Sequence, residues 1–147
     1  MFRFRLETIL RYRGQIEESE KRELGKIRFQ LSAAENEKIR SMESVHESGM
    51  ELDKKKAAGS FTPEDYFLHY EFVEGTKRKV EKQNRIIKKI EERAKAQRGK
   101  VVDAMRKRQV LSTLKSHKYQ DYLMDENRAE QNFLDEVVST RWKGKDQ

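Results

Sequence analysis

Side chains able to move a proton or hold a metal are few and scattered in this chain. His46, His69 and His117 stand apart, cysteine is absent, and no glycine-rich loop suited to cradling a phosphate occurs. Once the chain is folded back on itself as argued below, only His46 and His69 come near one level. His69 also falls on an apolar seam, where an occasional polar residue is ordinary. Asp and Glu are abundant but are spread as solvated helices spread them, with no nucleophile–base spacing. The expectation is no catalytic residue, cofactor, metal or small-molecule substrate. Charge is the second chemistry on offer. Lys77-Arg78-Lys79, Lys88-Lys89 and Arg106-Lys107-Arg108 could neutralise phosphates. These runs are interleaved with the seam and no nucleic-acid motif accompanies them, so specific nucleic-acid recognition is not expected. A basic coiled coil that binds nucleic acid nonspecifically, or a tether, stays open as an alternative.

What must position such residues follows from composition. In 147 residues, 35% are hydrophobic and 40% charged, too little apolar material for a round core. Disordered chains and long helices with a narrow apolar seam share this balance, and periodicity decides between them. The absence of cysteine suits a reducing compartment. No stretch approaches the roughly 20 apolar residues that span a bilayer. The N-terminal Met1-Phe2-Arg3-Phe4-Arg5-Leu6-Glu7 lacks the apolar run of a secretory signal. A cytoplasmic protein with no transmembrane segment is the default. Net charge is +7, unevenly placed. Residues 1–56 carry +2, 57–76 carry −4, 77–118 carry +12 and 119–147 carry −3.

The single proline lies in Gly59-Ser60-Phe61-Thr62-Pro63-Glu64-Asp65. Proline suits the first helical position, which makes Thr62 the N-cap, with Asp65 placed to answer it in a shortened capping box. Gly59 offers a stop for the preceding helix. After this turn Tyr66, Val73, Val80, Ile87, Ala94 and Val101 recur every seven residues, with Ile90, Ala104 and Leu111 in the companion positions and Gln83 and Gln97 as polar interruptions. Before it, Leu24, Ile27, Leu31 and Ala34 step by three and four, with Leu10, Val45 and Leu52 in phase. Lys38 interrupts this seam while Ile39 and Met42 fall beside it, which predicts a local slip in register.

The fold class is therefore all-α: one domain over 1–147, a long two-helix antiparallel coiled-coil hairpin with the second helix longer. Helix 1 runs over about 4–56, the turn over 57–62 and helix 2 over 63–141. If the chain reverses near residues 59 and 60, residue i faces about residue 119 − i. Phe2, Phe4, Leu6, Ile9 and Leu10 then meet the second helix near 109–117, ringed by Arg3, Arg5, Arg11, Arg13, Arg106, Lys107 and Arg108. Beyond about residue 115 the second helix has no partner, leaving Tyr119, Tyr122, Leu123, Phe133, Leu134, Val137 and Trp142 as an uncovered stripe that marks a partner site or folds back. At the turn, Phe67, Tyr70 and Phe72 cannot all point inward from one helix, since successive residues turn by about 100°. They read either as a hot-spot surface or as a small core capping the hairpin.

The N-terminal Phe2-x-Phe4-x-Leu6-Glu7-x-x-Leu10-x-x-Arg13, the break near residue 60, the basic second helix and Leu134-Asp135-Glu136-Val137-Val138 together resemble the flagellar FliJ protein family. Stalk proteins of virulence type III secretion systems share the architecture, so the flagellar branch rests mainly on the N-terminal pattern. The resemblance implies a central stalk, similar to the rotor subunit of rotary ATP synthases, of the flagellar protein export apparatus. Its end bearing both termini would enter the pore of the hexameric export ATPase FliI, promoting assembly and activity. It would also contact the export gate FlhA and escort export chaperones, working in the cytoplasm at the inner face of the cell membrane at the flagellar base. On this reading Phe2, Arg3, Phe4, Arg5, Leu6, Arg11, Arg13, Arg106, Lys107 and Arg108 would meet the ATPase, and Phe67, Tyr70 and Phe72 the gate or chaperones.

Overall fold

The computed structural model describes residues 1–143. Among them are two helices and no strand: α1 spans Glu7–Ala57 and α2 spans Pro63–Lys143. This is the all-α hairpin, longer in its second helix, that the heptads imply. The turn is built as its residue types dictate. Gly59 adopts φ 71°, the left-handed conformation that a Cβ disfavours. The amide of Gly59 donates to the Lys56 carbonyl at 3.3 Å and that of Ser60 to the Lys55 carbonyl at 3.0 Å, the paired bonds of a Schellman stop. On the far side, the Asp65 amide donates to Thr62 Oγ1 at 3.2 Å and the Thr62 amide to Asp65 Oδ2 at 3.0 Å. That reciprocal capping box is the one expected. Lys55 reaches the same carboxylate at 3.0 Å, stapling the end of α1 to the start of α2.

Two compact units divide the chain. The first, Ser19–Val101, holds the turn and a narrow core of Ile27, Ile90 and Ala94, flanked by Leu31 and Ala34. The helices run antiparallel here: Ser48 meets His69, Gln30 meets Arg93 and Glu20 meets Gln97. Polar residues share the seam, for Ser41, Gln83 and Gln97 are all buried. Two expectations need correction. The slip at Lys38 does not occur: α1 is continuous, Ser41 is buried, Lys38 is half-buried, and Ile39 and Met42 are exposed. The Ser41 hydroxyl is satisfied by the Glu37 carbonyl of its own helix at 3.1 Å, and a lysine stem can line a seam with its ammonium outward. Polar residues therefore hold the phase that apolar ones would have broken. Tyr66, assigned to the seam, is exposed, and Asp65 and His69 take the inward positions instead. Lys55 and Ser48 of α1 provide their partners.

The second unit comprises Met1–Glu18 with the chain from Val102 onward. Ion pairs share the seam here with buried Ala104 and half-buried Leu10, Ile16 and Leu111. Glu17, 4% exposed, accepts a bond from Arg108 Nε, and Lys115 Nζ lies 2.7 Å from Glu7. Residues 1–6 are not helical, so α1 begins later than the residue 4 expected. Their burial alternates, with Phe2, Phe4 and Leu6 half-buried and Met1, Arg3 and Arg5 exposed, and a turn closed by the Glu7 amide on the Phe4 carbonyl at 3.2 Å leads into α1. On the hairpin register of about 119 − i, Phe2 falls near residue 117, within about a turn of helix from Tyr119 and Tyr122. Phe2 accordingly packs on Tyr119 and Tyr122, with ring centroids 5.2 and 5.7 Å away. Tyr119 and Tyr122 are thus not unpartnered, and the expectation that nothing covers α2 past residue 115 fails because the residues ahead of residue 4 pack on α2 as well.

Candidate partner-binding surfaces

The N-terminal clasp comes first. The edge-on contact of Phe2 with Tyr119, at 67° between planes, has the aromatic geometry favoured by ring quadrupoles. Beside it runs an open groove walled by residues 1–6 and by Leu114, Lys118, Asp121, Tyr122, Asp125 and Arg128 of α2. The Tyr122 hydroxyl donates to Glu126, and that bond, followed by desolvation, raises the phenol above its ordinary pKa. The cations assigned to this region divide into two groups. Arg3, Arg5, Arg11, Arg106 and Lys107 are exposed, Lys107 beside Asp103 at 3.1 Å. Arg13 and Arg108 are half-buried, and Arg108 is committed to Glu17. The groove residues Lys118, Asp121, Asp125 and Arg128 escaped the sequence reading. The signal that would have found them was the alternation of apolar and arginine residues over 1–6, which is a strand period, not a helical one.

At the turn, Phe67 is 59% exposed, with Tyr70 and Phe72 also exposed, so no small core gathers them. Leu68 joins them on this surface. Lys56 lies 5.3 Å over the Phe61 ring. The Asp65 carboxyl is held below the usual aspartate range, first by its bond from Lys55 and then by those from Thr62. On the tail of α2, Leu123, Phe133, Leu134, Val138 and Trp142 are exposed and Val137 is half-buried. That stripe begins only beyond the clasped tyrosines.

His69 resolves into packing, while His46 and His117 are exposed. His69 Nδ1 and Ser48 Oγ lie 2.8 Å apart as a polar layer of the seam, in a hollow shared with Glu51, Leu52 and Asp65. Among the described residues no group of three or more His, Cys, Asp or Glu could hold a metal ion. Nor is any helix long and apolar enough to cross a membrane.

A helical hairpin with a mixed polar seam, and with aromatic and cationic groups displayed outward, defines a coiled-coil protein. The particular family follows from comparison with known ones. The model of the flagellar FliJ protein family matches residues 1–147, and the chain belongs to that family. No curated protein and no solved structure gives a significant match. Membership makes the chain a component of flagellar protein export.

Proposed function

We propose that the chain is the non-catalytic stalk of the flagellar export ATPase. The end carrying residues 1–18 and α2 beyond Val102 seats in the pore of hexameric FliI, promoting its assembly and activity. The aromatic surface of Phe67, Tyr70 and Phe72 meets FlhA or export chaperones, and the tail stripe from Leu123 to Trp142 takes a further helix of the complex. Such a stalk works in the cytoplasm, held by its partners at the inner face of the cell membrane.

The observation that supports this reading best is the exposure of Arg3 and Arg5 beside an aromatic clasp, with Arg11 and Arg106 exposed farther along the same unit. Fixed cations beside an apolar anchor steer an acidic partner and set its register. The test is the rate of ATP hydrolysis by the purified ATPase with and without this protein. Replacing Arg3, Arg5 and Arg11 by alanine should weaken half-maximal stimulation by about tenfold at low salt and less at high salt. Unchanged stimulation refutes the reading. Arg13 and Arg108 belong in a separate variant, since their loss disturbs the seam as well.

A further inference from the structure

The most exposed aromatic residue among those described is Phe29, at 78%. No other aromatic residue occurs between Tyr12 and Phe61. At about 100° per residue, Phe29 lies roughly half a turn from the seam residues Leu24, Ile27, Leu31 and Ala34, on the back of α1. Next to it is a shallow hollow lined by Ser32, Ala33, Asn36, Glu37 and Arg40, its small residues allowing close approach. A knob adjoining a hole on one helix face is the self-complementary arrangement that a two-fold interface requires.

We propose that the back of α1 docks a second copy of this chain, antiparallel, with each Phe29 seated in its partner's Ser32–Ala33–Asn36 hollow. Charge identifies the occupant. A two-fold axis level with residues 31 and 32 brings Phe29 over the hollow, and in an antiparallel pair residues on the same flank face each other. On one flank this sets Arg28 opposite the partner's Glu35, and on the other Lys26 opposite the partner's Glu37. Both pairs are of opposite sign, and the symmetry makes each of them twice. Arg28 and Glu35 are exposed and have no ion-pair partner among the described residues. Lys26 now bridges Glu23 at 2.8 Å, and Glu37 lies 3.9 Å from Lys79; both are exposed pairs that exchange at little cost. One aromatic anchor per copy, ringed by polar groups, makes a small interface, so association should be weak and concentration-dependent.

The chain contains no cysteine, which makes a single introduced thiol an unambiguous reporter. Ser32→Cys places that thiol near the proposed axis, where oxidation should link two copies. Glu47→Cys lies on the same face, but its copies would be about 45 Å apart and should remain unlinked. In sedimentation equilibrium the unmodified chain should form a concentration-dependent dimer, and Phe29→Ala should raise its dissociation constant about tenfold. Arg28→Glu should weaken the dimer, and Arg28→Glu combined with Glu35→Arg should restore it. The proposal is overturned if the chain stays monomeric at every concentration. Equal cross-linking of the Ser32→Cys and Glu47→Cys variants, or failure of the charge swap to recover what Arg28→Glu lost, also overturns it. So does a Phe29 that retains some other protein while the chain itself stays monomeric.

Discussion

Gln83 carries an amide that is 6% exposed, and neither its Oε1 nor its Nε2 has a hydrogen-bond partner. A polar residue at a seam position selects register at the expense of stability. An unsatisfied buried amide costs about 1–3 kcal/mol, so Gln83→Leu should raise the urea unfolding free energy by roughly 1 kcal/mol. Gln97 contrasts with it, since its amide donates to the Glu20 carbonyl at 3.1 Å and to the Glu20 carboxylate. The same replacement there should be neutral or destabilising. Both glutamines were legible in the sequence as interruptions of the heptads. Which of them finds a partner was not, because that depends on a residue nearly eighty positions away whose side chain bends back to meet it. Glu17 was missed altogether: it is an acidic residue among many, and its burial goes with Arg108 reaching across to it.

At the scale of elements, the turn was read almost completely. Glycine, threonine, proline and aspartate each act through local backbone geometry that no distant contact overrides. The Asp65 carboxylate, held below its ordinary pKa by Lys55 and Thr62, ties α1 to α2. Its contribution is fully present above the unfolded aspartate pKa of about 3.9 and is lost as pH falls through the lower folded value. Asp65→Asn should therefore lower stability at neutral pH, and the gap between variant and parent should close as acid titration passes below about pH 4. Residues 4–6 were read as the start of α1, whereas the structure sets them in a short non-helical arm whose burial alternates; the helical pattern that follows absorbed it. Phe2→Ala removes the ring that holds it and should cost roughly 1–3 kcal/mol of clasp stability. Trypsin should then cleave after Arg3 and Arg5 much faster than in the parent chain.

For the molecule as a whole, the seam is thin and charge dominates the surface. The sequence pI of 9.5 and the basic block over 77–118 predict a nonspecific attraction to polyanions. Retention on an arbitrary duplex should depend on salt alone, falling by orders of magnitude between about 50 and 200 mM without sequence preference. Retention that survives physiological salt and discriminates between sequences would favour the nucleic-acid reading over the stalk. The hairpin itself was readable because its rule, an apolar residue every third and fourth position on either side of one strong turn, is repeated many times over and tolerates local exceptions. Surface roles have no such redundancy. Arg3 and Arg108 look alike as letters, yet one stands in solvent and the other is spent inside the seam.

The clasp also imposes an order on synthesis. Phe2 leaves the ribosome well before Tyr119 and Tyr122, so the arm that carries it must wait through the synthesis of both helices before it has anywhere to dock. During that interval its two phenylalanines are free for any chaperone or protease nearby. Removing or blocking the first six residues should therefore leave the rest of the hairpin to form unhindered.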